Sequence, residues 1–100
     1  MFLENYNEND LAKIFKALSD PNRIKILKIL IENQTEMTCG EVSSHLKLSL
    51  STVSYHFKIL RHAGLTKMRK EGHEKYLSVN QPLLNKLNLI PVIKKDFTLK

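Results

Sequence analysis

The chain has 100 residues, a formal charge of +6, 42% hydrophobic and 26% charged residues, and a single cysteine. This is ordinary for one small soluble globular domain, and a domain of this size buries a limited share of its surface, so a partner subunit would add stability. No apolar run approaches the roughly 18 residues of a bilayer span, the first residues lack the basic start and apolar centre of a secretory signal, and one cysteine excludes an intrachain disulfide, which fits a reducing cytoplasm.

The charge is unevenly placed. Residues 1–41 carry seven acids and five bases, a balance of −2, whereas residues 42–79 carry seven bases against Glu71 and Glu74, a balance of +5. From Val42 through Lys70 there is no acid. One-sided charge in a folded segment points to a polyanion, with nucleic acid ahead of a membrane surface. The plain alternative is a solvated basic face.

In chain order, Leu11, Ile14, Phe15 and Leu18 recur at i, i+3, i+4 and i+7 and predict a helix over 9–18 with Asn9 as its cap. Ser19-Asp20-Pro21 ends it and opens a second helix, since proline suits a first helical turn. That second helix is apolar around most of its circumference, with only Lys25, Lys28 and Glu32 on a narrow polar strip, as expected of a central helix packed on several sides. Residues 33–37 form a polar connection. Thr38 and Glu41 have the spacing of a capping box for a short helix to about Leu46. Lys47-Leu48-Ser49 links it to a helix that Ser49 caps and that Gly64 ends in the left-handed conformation. After Gly64 the period changes, and residues 65–79 read as two strands around a tight Glu71-Gly72 turn, with a base-rich tip drawn from Lys67, Arg69, Lys70 and Lys75. Leu83, Leu84, Leu87 and Ile90 predict a last helix over 82–93, limited or kinked by Pro91.

The predicted fold class is therefore mainly α with a small β-hairpin: a winged helix-turn-helix of order α-α-α-α-β-β-α, forming one domain over 1–100. Its helix-turn-helix spans about 38–63 and its wing about 65–79. The first and last helices, with Leu11, Ile14, Phe15, Leu83, Leu84, Leu87 and Ile90, are most simply buried against a second copy, and a two-fold dimer is the usual soluble assembly.

The segment after Ser49 divides by face. At about 100° per residue, Ser51, Ser54, Tyr55, Lys58, Arg61 and His62 fall on one arc of about 120°, with Val53, His56, Leu60 and Ala63 opposite. One face is core; the other is hydroxyls, bases and ring nitrogen. Such a face suits the DNA major groove, where hydroxyls bond phosphates or base edges, arginine forks onto guanine and lysine neutralises phosphate. An ordinary exposed helix face would mix acids with the bases, and this one has none. First-turn residues of a recognition helix lie nearest the bases. Ser49, Ser51, Thr52, Ser54, Tyr55 and Lys58 are thus candidates for base or near-base contact. Arg61, His62, Arg69, Lys70 and His73 are candidates for phosphate and flanking contacts.

The stretches "ALSDPNRIKILKIL", "LSLSTVSYHFKILRHAGL" and "RKEGHEKYLSV" resemble the ArsR/SmtB-type winged-helix repressors, in order and spacing, from about Ala17 to Val79. The resemblance implies a homodimeric DNA-binding transcriptional repressor of a bacterial or archaeal cytoplasm, joined through its first and last helices and bound to an inverted-repeat operator. The family's metal box does not carry over. Its two cysteine positions fall on Thr38 and Gly40, with Cys39 between them, and residues 80–100 hold no histidine and only Asp96. No metal site and no cofactor are expected. Cys39, near a helix N-terminus where the dipole lowers a thiol's pKa, is a possible redox switch, against the simpler reading of a small first-turn residue. His56 reads as a packed ring, and His62 and His73 as neighbours of DNA. No phosphate loop, catalytic triad or carboxylate pair is present, so an enzyme is not expected. The rival function is a winged-helix module whose basic face binds an acidic protein.

Overall fold

A computed structural model describes residues 6–94. Helix α1 spans Glu8–Ala17, α2 Pro21–Asn33, α3 Cys39–Leu46 and α4 Leu50–His62. Strand β1 is Met37–Thr38, and β2, Thr66–Glu71, and β3, Glu74–Val79, form the hairpin. Two short helices follow, α5 over Gln81–Lys86 and α6 over Ile90–Lys94. Among the described residues no helix is long and apolar enough to cross a membrane.

The helix ends follow from local chemistry. Asn7, not Asn9, caps α1: its side chain accepts from the Asp10 amide at 2.9 Å while Asp10 accepts from the Asn7 amide at 3.1 Å. Asn9 loses because only a residue three before an acid can form this reciprocal pair. Asp20 caps α2 and Pro21 fills its first position. The Thr38–Glu41 capping box forms, at 3.1 and 2.9 Å. Gly64 takes φ +83°, and Leu65 N–H donates to the Leu60 carbonyl at 3.0 Å, closing α4 with a left-handed turn. Asn80 fixes this turn from outside, its side-chain amide donating to the Gly64 carbonyl at 2.8 Å.

The sheet order is β1-β3-β2, all antiparallel. Strand β1 is absent from the sequence reading because two residues carry no alternation to read. It joins the wing's root to the helical body by pairing Met37 with Leu77 and Thr38 with Tyr76. The hairpin register pairs Met68 with Leu77, Lys70 with Lys75 and Glu71 with Glu74. The turn is thus Gly72-His73, one residue beyond the predicted position, and the tip carries Glu71 and Glu74 rather than bases. Gly72, at φ +62°, supplies the positive φ that a two-residue hairpin turn requires at its first central position.

The expected last helix is interrupted. Leu87 caps α5, Asn88 adopts φ +57°, and Leu89 N–H donates back to the Leu84 carbonyl at 3.0 Å. Asparagine tolerates the left-handed conformation, so α5 ends there, and Pro91 sits in the opening turn of α6, where its missing N–H costs nothing.

The core is built around α2. Ile26 and Leu27 are fully buried, together with Ala17, Val42, Val53, Leu60, Leu65, Leu77 and Leu84. Ile14, Leu83 and Leu84, expected against a partner, are instead buried in this core. Periodicity identified the apolar stripe correctly, but not which neighbour covers it. Phe15 remains 64% exposed, and Leu11, Leu87 and Ile90 are half-buried.

Candidate nucleic-acid interface

The link between α3 and α4 sets the presentation of α4. Lys47 adopts φ +56°, Leu48 N–H donates to the Ser43 carbonyl at 3.1 Å, and the Ser43 hydroxyl donates to the Leu48 carbonyl. This tight turn angles α4 against α3. Val53, His56, Phe57 and Leu60 then face the core, which leaves the other side of α4 outward.

Ser51, Ser54, Tyr55, Lys58, Arg61 and His62 are all exposed along that outward side, and Thr52 is half-buried. Tyr55 is 61% exposed and meets the His56 ring edge-on, with centroids 5.2 Å apart. Ser49 is committed to the cap: its hydroxyl accepts from the Thr52 amide at 3.1 Å and donates to the Thr52 hydroxyl at 2.8 Å. Its role here is to start α4. Leu50, 58% exposed in the first turn, escaped the sequence reading. Its position at the edge of the polar arc, 20° from Arg61 by the roughly 100° helical step, was the available signal.

His56 is a packed ring, 8% exposed, with Nδ1 3.3 Å from Arg23 Nη1. It ties α4 to the start of α2 and does not reach the outward face.

The wing lies beside α4. Successive strand residues alternate between faces, so Lys70 and Lys75 share the face of Met68 and Leu77, which packs toward α4. Ser54, Lys58, Arg61, Cys39 and Lys75 line a notch of about 200 Å³ between α4 and the wing. Lys75 therefore belongs to the basic surface, although it was not among the predicted contacts. Lys70 and Lys75 stand directly opposite each other, an arrangement of like charges that an anion between them would relieve. His73 is exposed in the turn.

Arg69 points to the other face of the wing, where its guanidinium meets Glu36 at 2.8 Å and Glu71 at 2.7 Å and stacks over the Tyr76 ring at 4.6 Å. Its hydrogen bond to Glu36, with the one to Glu71, raises its already high pKa, and in return Arg69 holds the Glu36 carboxyl below the usual range. The side chain is ion-paired within the chain and remains about half exposed.

Cys39 is half-buried at the first position of α3. Burial pushes its thiol up, with Lys75 lowering and Glu74 raising it by lesser amounts. Among the described residues no three His, Cys, Asp or Glu side chains converge on one point. Asp96 lies outside the described residues.

A tight helix-turn-helix, an outward helix face of hydroxyls and bases, and a three-stranded wing at its side define a winged helix-turn-helix DNA-binding regulator. The sequence model described as "Bacterial regulatory protein, arsR family" matches residues 20–67. The HTH-type transcriptional regulator YceK of Bacillus subtilis is 42% identical over 81 residues, which are 81% of each chain. The chain belongs to the ArsR family of transcriptional regulators. The transcriptional repressor SdpR of Bacillus subtilis is 37% identical over 74 residues, 74% of this chain and 80% of that protein. Among solved structures, the homodimeric winged helix-turn-helix DNA-binding domain of a possible ArsR-family regulator from Mycobacterium bovis superposes with a TM-score of 0.74. It is 26% identical, and the match covers 85% of this chain and 78% of that one.

Proposed function

We propose that the chain acts as a homodimeric transcriptional repressor that places the two copies of α4 in successive major grooves of an inverted-repeat operator. The observation that carries this reading is the outward face of α4, where Ser51, Ser54, Tyr55, Lys58, Arg61 and His62 are exposed together with no acid among them. Ser51, Thr52, Ser54 and Tyr55 are assigned to base edges or their immediate surroundings. Arg61, His62, Lys70, His73 and Lys75 are assigned to phosphate. Arg69 is assigned to holding the wing against Glu36.

The dimer has a surface to form on. Leu11, Phe15 and Leu18 share one side of α1, and Leu18, Ile24, Val92 and Ile93 line a largely apolar groove of about 670 Å³ between α2 and α6. Phe15, Ile24 and Val92 are 64%, 38% and 52% exposed. The Mycobacterium bovis domain of the same fold is homodimeric, and two-fold association places recognition helices about 34 Å apart, one helical turn of DNA.

The test is selection of bound sequences from a random duplex pool, followed by titration of the recovered duplex at several salt concentrations. The expected outcome is a recovered inverted repeat and an affinity that falls steeply with salt. Ser54→Ala and Tyr55→Ala each relax the preference at one position of each half-site, by about 1–3 kcal/mol where a base contact is lost. No recovered preference together with a flat salt profile refutes the proposal.

A further inference from the structure

The structure holds a second basic groove beside the recognition helix, on the side away from the wing. Lys13 and Lys16 of α1, Arg23 of α2, and Tyr55 and His62 of α4 line a depression of about 410 Å³. Lys13, Lys16, Tyr55 and His62 are exposed. No acid lines the groove; Asp20 lines the neighbouring one between α2 and α6. Among the described residues neither the Lys13 nor the Lys16 ammonium is ion-paired. Arg23 turns its guanidinium inward, onto the Ala17 carbonyl at 2.7 Å, and forms the groove's wall rather than a free cation.

The position of this groove has a geometric consequence. An α-helix with its side chains is about 10–12 Å across, and the major groove is about 12 Å wide. A helix lying in it therefore runs between two rows of phosphates, one along each flank. On one flank of α4 stand Arg61, Lys70 and Lys75. On the other stand Lys13, Lys16 and His62.

We infer that Lys13 and Lys16 form a DNA-backbone site on α1, holding the phosphate row opposite the one met by the wing. The inference rests on the proposed placement of α4 in the major groove. It gives α1 a part in DNA binding in addition to its apolar side. The two roles do not compete for surface. At about 100° per residue, the Lys13/Lys16 direction lies about 160° from the centre of Leu11, Phe15 and Leu18 around the helix axis. Buried Ile14 and Ala17 lie between them on the core side. A partner seated on Phe15 leaves the lysines free.

The experiment compares the full-length protein with the double variant Lys13→Gln, Lys16→Gln. The probes are the duplex recovered by selection and a 30-bp duplex of random sequence, titrated by fluorescence anisotropy between 50 and 200 mM KCl. Each lost phosphate contact flattens the slope of log K against log salt by about 0.9. The double variant is expected to flatten it by about 1.8 per chain bound and to weaken both duplexes by the same factor, so the preference ratio is kept. The pair Lys86→Gln, Lys94→Gln removes the same charge from exposed positions outside both the DNA-facing surface and the groove between α2 and α6 and is expected to leave the slope close to wild type. Lys13→Arg, Lys16→Arg is expected to restore it. A double variant whose slope matches the control pair, while the wild type still prefers its selected duplex, overturns the inference alone. A wild type with no preferred duplex and no salt dependence overturns the proposed function, and the inference with it.

Discussion

Replacing Arg23 with methionine tests how the helix-turn-helix is held to its support. The Ala17 carbonyl, at the end of α1, has its natural helical donor four residues on, at Pro21, which has no N–H. Arg23 Nε supplies the missing bond at 2.7 Å, and Nη2 reaches the Lys16 carbonyl at 3.4 Å. Nη1 faces His56 of α4 at 3.3 Å. One side chain thus closes α1 and anchors α4. A hydrogen bond from a charged donor contributes about 1.5–3 kcal/mol, and the deserted carbonyl belongs to a fully buried residue. Methionine keeps much of the aliphatic stem, so packing loss is small and the polar loss dominates. The expected destabilisation is about 2 kcal/mol, which lowers the midpoint of a domain this size by about 8–16 °C. Arg23→Lys recovers only part of it, since a single ammonium cannot serve two carbonyls and an imidazole in the geometry of the planar fork. Thermal melts by circular dichroism at one fixed protein concentration, with urea titration as a second measure, give both values. An Arg23→Met protein that melts within about 2 °C of wild type refutes the assigned cap, because the 4–8 °C per kcal/mol scaling then leaves no room for it.

Gly64→Ala is expected to cost about 1–2 kcal/mol in urea titration through φ +83° alone, since the added Cβ meets Leu83 Cδ2 and Tyr6 Oη at an unstrained 3.7 Å. Gly64→Asn should cost less, and an alanine variant as stable as wild type would contradict the left-handed stop. Glu36→Gln removes one of the two carboxylates paired with Arg69, and the folded Glu36 carboxyl is held below its ordinary pKa by that arginine. The stabilisation is therefore complete above the ordinary glutamate value of about 4.3 and disappears as the pH falls through the lower, folded value. Melting temperatures of the two proteins should differ at pH 7 and converge in acid; a gap that widens on acidification contradicts the sign.

Much of the helical framework was legible locally, because each helix end is decided by atoms three to six residues apart. Thr38 and Ser49 announced their caps, Pro21 the start of α2 and Gly64 its turn, without reference to the rest of the chain. The division of α4 into a core side and an outward side was equally legible, since a 3.6-residue period fixes which side chains share a direction. Where two local signals competed, as for Asn7 and Asn9, the one with the reciprocal acid prevailed. Strand β1 and the break at Asn88 were missed for related reasons: a two-residue strand has no period, and an asparagine in a helical pattern does not declare its backbone conformation.

The sequence by itself determined the class of the protein: the helix order, the acid-free basic stretch, and the side of α4 that faces outward. The tertiary structure decided the fate of each charge and each apolar stripe. Arg69 is ion-paired with Glu36, 33 positions earlier, a pairing that exists only because β1 brings residue 36 to the wing. Cys39 is half-buried where the notch between α4 and the wing meets α3, and that burial pushes its thiol up. Ile14, Leu83 and Leu84 face their own core, while Phe15 stays exposed. Lys13 and Lys16 come beside His62 although more than 40 residues separate them in the chain. Periodicity gives a side chain its direction within its own element; what stands in that direction depends on how the elements pack.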